Sequence, residues 1–344
     1  MTQSFSGLPQ QLPADHPPVK TGKVGVLLVN LGTPDAPETG PVRRYLAQFL
    51  SDKRVIEIPS LIWQPILRGV ILNTRPAKSA EAYKKVWSDR GSPLAVITQD
   101  QAADLQRRMG DAVHVEWAMR YGSPSIPDQL DAMKAAGCER ILLAPMYPQY
   151  SGATSATVVD KVSDWLRAQR WQPAMRTMPP YHDDPVYIAA LAKDISAQLE
   201  ALAFTPEVLL LSFHGMPLRT LTQGDPYHCH CQKTARLLAA AINRPDIRIA
   251  VSFQSRFGPA KWLEPATDDT ILAEAAKGTK RLAIAAPGFS ADCLETLEEL
   301  AMEGRDEFLE AGGEQFATIE CLNARETSMD MIETIVRREL AGWV

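Results

Sequence analysis

Two places in the chain set groups able to move protons or hold a divalent metal ion beside segments that read as buried strands. The first is Ser212-Phe213-His214-Gly215-Met216-Pro217. His214 follows the apolar run Val208 to Phe213, so it stands just past the carboxyl end of a strand, the edge at which open α/β sheets bind ligands. A neutral imidazole, with a pKa near about 6.5, accepts a proton or binds a transition metal. Gly215 permits close backbone approach by a ligand, and Pro217 stiffens the turn. A lone histidine here also fits a hydrogen-bonded structural role.

The second place runs from Pro287 to Glu299, again a strand-end turn leading into a helix, which Asp292 can cap. Glu295, Glu299 and Glu303 recur at i, i+4 and i+8 and so share one helix face. Like charges at that spacing repel, so the row suits either a solvated face or a carboxylate rail leading from a metal or proton acceptor to solvent. His214 and Glu295 can reach one cleft. One histidine with a few carboxylates is too small and too hard a set for a closed zinc site and suits a transient divalent ion.

The other cleft candidates are Arg75, Ser92, Arg120, Tyr121, Tyr150, Ser151, Thr154, Trp262 and Phe289. Arginines after strands suit carboxylates, and aromatic rings can pave the walls of a flat apolar ligand site. Taken singly, each is also a plausible structural residue. The alternation Tyr227-His228-Cys229-His230-Cys231 offers soft ligands but lacks CxxC spacing and a second pair, which argues against zinc or an iron–sulfur cluster. No GxxxxGK[ST], strand-borne GxGxxG, GxSxG or HExxH occurs, so nucleotide hydrolysis, dinucleotide redox chemistry, serine hydrolysis and the commonest zinc proteolysis lose their usual signals.

The elements that must carry these groups are legible as short apolar runs: VGVLLVN, VHVEWA, ILLAP, VLLLSF, RIAVSF and RLAIAAP. They read as buried parallel strands, and segments such as IPDQLDAMKAAG and DDTILAEAAKG read as crossover helices between them. The class predicted is α/β, with doubly wound sheets. A weak internal repeat pairs Arg120-Tyr121-Gly122, ILLAP and QYSGATSAT with Arg256-Phe257-Gly258, LAIAAP and GFSADCLET. It predicts two similar Rossmann-like domains facing across a cleft: 23–178 and, carrying the metal site, 179–324. A flexible arm over 1–22 and a C-terminal helix over 325–344 packing back on the body complete the expected organisation.

Composition narrows the partners. The 344 residues are 45% apolar and 22% charged with net charge −5, so no basic field exists to hold nucleic acid. Five scattered cysteines read as reduced thiols of a cytoplasmic protein. The polar, proline-rich start is no signal peptide, and no apolar run is long enough to span a bilayer. Leu61 to Leu72, LIWQPILRGVIL, is either a cover over the core or an apolar lip for peripheral contact with a membrane or a greasy substrate.

On LLVNLGTPD, FLSDKRVIEIP, GSPL, RYGSPSI, PQYSGAT, LSFHGMP, FQSRFGPAKWLEP, PGFSADCLETLEEL and LNA, the chain resembles the ferrochelatase family from about Val24 to Asn323, its proteobacterial branch most closely. The resemblance implies a lyase that inserts Fe²⁺, its substrate, into protoporphyrin IX to give protohaem, with release of two protons and no organic cofactor. It implies that His214 and Glu295 form the iron site, and that Leu31, Arg75, Ser92, Arg120, Tyr121, Trp262 and Phe289 line the porphyrin pocket. Asp292 and Glu299 would continue a polar path behind Glu295. Cys293 stands where the family often has histidine. Gly152 follows Ser151 and the chain ends in GWV, so the arrangement by which some members hold a [2Fe-2S] cluster is not expected. The protein is expected as a monomer or homodimer. The competing readings are a chelatase for coproporphyrin or a sirohydrochlorin-type ring, and a porphyrin or haem carrier. The carrier would not need the Glu295 and Glu299 row, and the many carboxylates of sirohydrochlorin would need a more basic cleft.

Overall fold

The computed structural model describes residues 15–16, 20–258 and 260–344. Of the expected arm over 1–22, residues 1–14 and 17–19 lie outside the described residues. Eight strands form two four-stranded sheets. The first holds β1 (Lys23–Gly32), β2 (Val113–Tyr121), β3 (Cys138–Pro145) and β4 (Ala174–Thr177), in the order β2-β1-β3-β4. The second holds β5 (Val208–His214), β6 (Arg248–Gln254), β7 (Arg281–Ala285) and β8 (Gln315–Ile319), in the order β6-β5-β7-β8. Every pairing is parallel. The two halves therefore repeat one topology, with helices on the sheet faces as parallel strands require.

The central strands are buried almost end to end, which is why they read as uninterrupted apolar runs: Val26, Leu27, Leu28 and Val29 in β1, and Leu209, Leu210 and Leu211 in β5. The edge strands β4 and β8 were not legible. Ala-Met-Arg-Thr is four residues long and only half-covered, and β8 is buried only at Ile319. One apolar core joins the sheets, running from Val26, Leu28 and Leu142 to Leu209, Leu211 and Phe213. The helix Glu326–Glu339 adds Met329, Ile332, Ile335 and Val336 to that core, and its Glu326, Asp330 and Glu333 pair with Arg108 of the helix Pro93–Met109.

In each sheet the chain leaves the first strand, forms a neighbour on one side, and returns to form the next on the other. The crevice of such a sheet lies at the carboxyl ends of the two central strands. These are Gly32 and Pro145 in the first sheet and His214 and Ala285 in the second. The β1–β2 connection is a long excursion containing the helices Thr39–Leu50, Ser60–Ile66, Leu72–Val86 and Pro93–Met109, with a wide π turn over Leu67–Ile71. It supplies further walls to the crevice.

Candidate functional site

A cavity lies where the strand ends meet, lined from both halves of the chain. The first half contributes Asn30 to Thr33, Met146, Tyr147 and Gln149, and the excursion contributes Tyr45, Tyr83, Ser92 and Leu94. The second half contributes His214, the turn Gly288 to Ala291, Cys293, Leu294 and Glu295.

His214 is half-buried at the last position of β5. Its Nδ1 lies 2.7 Å from the carbonyl oxygen of Gly215. A carbonyl only accepts, so Nδ1 carries the hydrogen, and in the neutral ring Nε2 is left with its lone pair. Gly215 serves the backbone here: a Cβ at this position would sit 2.6 Å from the Gln254 carbonyl oxygen and 3.2 Å from the Trp262 indole. The glycine expected to admit a ligand admits β6 and Trp262.

Glu295 opens the helix Glu295–Glu303, which is a π-helix rather than the α-helix expected, and among the described residues its carboxylate has no ion-pair partner. Such wide turns are rare and concentrate at functional sites. Glu295 and Glu299 are half-buried and Glu303 is exposed, so the row steps from the cavity to the surface. Burial raises the Glu299 carboxyl above its ordinary range; hydrogen bonds from Ser255 and the nearness of His214 oppose this, and Glu295 adds to it. Glu298, outside the row, is buried and paired with Lys85 of the helix Leu72–Val86 at 2.7 Å.

Of the residues expected to line a pocket, Leu31, Ser92 and Phe289 do so, as does Thr154. Ser92 Oγ accepts from Thr33 Oγ1 at 2.7 Å. Arg120 and Tyr121 are placed outside the cavity wall. Both donate to Asp52, Tyr121 at 2.9 Å, and Arg120 also reaches Thr157. Burial alone would raise the Asp52 carboxyl, but Thr157, the Arg54 N–H, Tyr121 and the Arg120 charge together hold it below its usual value. Tyr121 is fully buried at the end of β2. Trp262 lies over Gly215 rather than in the wall, and Arg75 is exposed above the Phe257 ring. Asp292 also stands apart. Its oxygens accept from Thr296 Oγ1, the Cys321 N–H and Asn323 Nδ2, so it ties the turn to the end of β8 instead of capping the helix or extending a path.

Tyr45, Tyr83 and Tyr147 also line the cavity, although no motif marks them in the sequence. Burial raises the pKa of the first two far above that of a free phenol, and the charge of nearby Glu295 adds to the shift, so both stay neutral donors. Tyr147 was within reach, since it comes two residues after β3, where the crevice rule points; its hydroxyl is buried without a partner among the described residues. Cys293 lines the cavity beside Glu295, and burial pushes its thiol upward. In the Tyr227 to Cys231 segment, Cys231 is buried and Cys229 exposed, so the two thiols face apart.

Leu61, Ile62, Ile66 and Val70 are exposed at 93%, 59%, 41% and 55%, while Trp63 and Leu67 turn inward. The segment thus covers the small cluster of Leu50, Leu67 and Leu72 with one face, Trp63 packing against it, and leaves its other apolar face exposed. No helix among the described residues is long and apolar enough to cross a membrane.

A sequence model of the ferrochelatase family matches residues 23–340. A ferrochelatase of Agrobacterium fabrum is 54% identical over 337 residues, covering 97% of this chain and 98% of its own. One from Allorhizobium ampelinum is 53% identical over 344 residues, covering 99% and 100%. Among solved structures, SirB from Bacillus subtilis with Fe³⁺ aligns with a TM-score of 0.55 at 12% identity, covering 94% of this chain and 97% of that one. The sirohydrochlorin chelatase SirB of the subspecies spizizenii, in complex with cobalt, aligns at 0.52 and 8%, covering 92% and 95%. At that identity the likeness establishes the fold, two Rossmann-like chelatase domains. Sequence, family match and architecture agree: the chain belongs to the ferrochelatase family of lyases.

Proposed function

We propose that this cavity is where ferrous iron enters protoporphyrin IX to give protohaem, with His214 and Glu295 facing the ring centre. The observation that carries the reading is that His214, at the end of β5, and Glu295, at the start of the helix that follows the adjacent β7, both line the wall of one apolar cavity. Insertion releases two pyrrole protons. The Nε2 lone pair of His214, held outward by the Nδ1–H to Gly215 bond, accepts one. Glu295, half-buried and without an ion-pair partner among the described residues, attracts Fe²⁺ and takes the second proton. Glu299 and Glu303 then lead charge toward water.

A planar porphyrin presents its nitrogen lone pairs poorly to a metal outside the ring. Leu31, Leu94 and Phe289, with the neutral phenols of Tyr45 and Tyr83, form a wall that can favour a distorted ring, so that peripheral contacts offset strain at the centre. Ser92 lies in that wall, and Arg75, on the helix that carries Tyr83, offers a guanidinium suited to a propionate. Arg120, Tyr121 and Asp292 act behind the wall, and Trp262 supports the His214 turn. The exposed lip Leu61 to Val70 meets a membrane surface, from which an apolar substrate can pass.

The test is anaerobic incubation with protoporphyrin IX and Fe²⁺, following loss of porphyrin fluorescence and gain of the haem spectrum, with coproporphyrin III and sirohydrochlorin in parallel. Multiple turnovers selective for protoporphyrin support the reading. Tight porphyrin binding without turnover would make the protein a carrier, and preference for either other ring would move the substrate.

A further inference from the structure

A continuous chain of contacts runs from the turn beside the site histidine to the opposite half of the molecule. The Trp262 indole lies against Gly215, next to His214. Trp262 and Phe257 have ring centroids 5.2 Å apart, and the indole N–H donates to the Phe257 carbonyl at 3.0 Å. The Arg75 guanidinium, on the helix Leu72–Val86, sits 5.1 Å from the centroid of the Phe257 ring. Phe257 is 41% exposed, a conspicuous position for a large ring in a polar turn. Arg75 is exposed as well, and among the described residues no carboxylate lies within ion-pairing distance of it.

The turn that carries Phe257 is fixed at several points. Ser255 is held by Glu299, Arg256 pairs with Asp268 and Asp269, and Trp262 bridges to Pro217. The ring is therefore a prepared platform. A guanidinium stacked on a ring uses its face and leaves its edge, with its fork of N–H donors, free for a carboxylate. Arg75 shares its helix with Tyr83, which lines the cavity, and its Phe257 platform adjoins Trp262, which packs on Gly215 beside His214.

We propose that Phe257 is a positioning residue that holds Arg75 across the cleft with its donor edge free to take a carboxylate of the macrocycle. This rests on the reading of Arg75 as a propionate partner. An unstacked arginine samples many rotamers, and the ring removes that freedom before the substrate arrives.

The experiment measures protoporphyrin IX affinity by fluorescence quenching, together with kcat and KM, for F257L, F257Y, R75Q and the F257L/R75Q pair, and repeats the binding with the dimethyl ester. An exposed cation–π contact corresponds to about two- to five-fold in affinity. F257L should weaken binding and raise KM by that factor, with the loss in KM rather than kcat, and F257Y should restore it. In the R75Q background F257L should add nothing, and ester binding should not change with F257L. If R75Q weakens binding while F257L does not, or if the two losses simply add, the proposal is overturned and the Arg75 reading stands. If R75Q itself leaves acid binding unchanged, both fall.

Discussion

The carboxylate of Glu299 grips Ser255 twice, accepting from its backbone N–H at 2.7 Å and from its hydroxyl at 2.5 Å. Ser255 has φ 63°, a left-handed conformation that a non-glycine residue keeps only when its surroundings hold it there. The second carboxylate of the row is thus both a step toward solvent and the clamp of the turn bearing Phe257.

The two roles separate by substitution. Glu299→Gln retains an acceptor for the Ser255 N–H but loses the charge, whereas Glu299→Ala loses both bonds. A neutral hydrogen bond contributes about 0.5–1.5 kcal/mol, so kcat/KM of the alanine variant should fall about two- to ten-fold below that of the glutamine variant. Equal values for the two would show that the clamp is irrelevant to turnover.

Gly32, at the end of β1, approaches the neighbouring strand closely. It has φ 123°, and a Cβ there would sit 1.8 Å from the Tyr121 carbonyl oxygen. Gly32→Ala should therefore destabilise the fold by more than about 3 kcal/mol, measured by denaturant unfolding or seen as loss of folded yield. An alanine variant that unfolds like the parent would contradict the strand-end geometry on which the cavity depends.

The stacked imidazoles of His182 and His230, with centroids 3.6 Å apart, set an acid limit on stability. Burial, then the charge of His230, lowers the His182 pKa from 6.5 to about 4, while Asp183 opposes and Lys233 assists. An unfolded histidine protonates near about 6.5. The neutral stack thus contributes fully above that pH, and its contribution is lost as pH falls toward about 4. Between those limits the urea midpoint should fall less steeply for His182→Phe than for the parent; parallel curves would exclude the stack as the cause.

The lip is tested without touching the cavity. Leu61→Ser with Ile62→Ser should reduce co-sedimentation with phospholipid vesicles while leaving turnover of detergent-dispersed porphyrin at the parent level. Unchanged vesicle binding, or no binding by the parent, would remove the membrane role.

How much was legible follows from locality. β1 and β5 were readable because burial on both faces makes an apolar run, and His214 and Glu295 because strand ends in such sheets face the crevice. β4 and β8 are short edges with no such run. Tyr45 and Tyr83 belong to an excursion whose helices show ordinary amphipathic patterns, and only the tertiary fold turns those phenols toward Glu295. Arg120 and Tyr121 follow the strand-end rule in position, but Asp52, arriving from the end of the helix Thr39–Leu50, draws both away from the cavity. The π geometry of Glu295–Glu303 has no periodic signature over so short a span.

The most direct measurement compares the His214→Ala variant with the parent for both porphyrin binding and single-turnover iron insertion under anaerobic conditions. The variant should fold, bind protoporphyrin IX within a few-fold of the parent and form essentially no haem. Haem formation at a near-parental rate would contradict the role of His214, because its Nε2 lone pair would then have no part in the reaction.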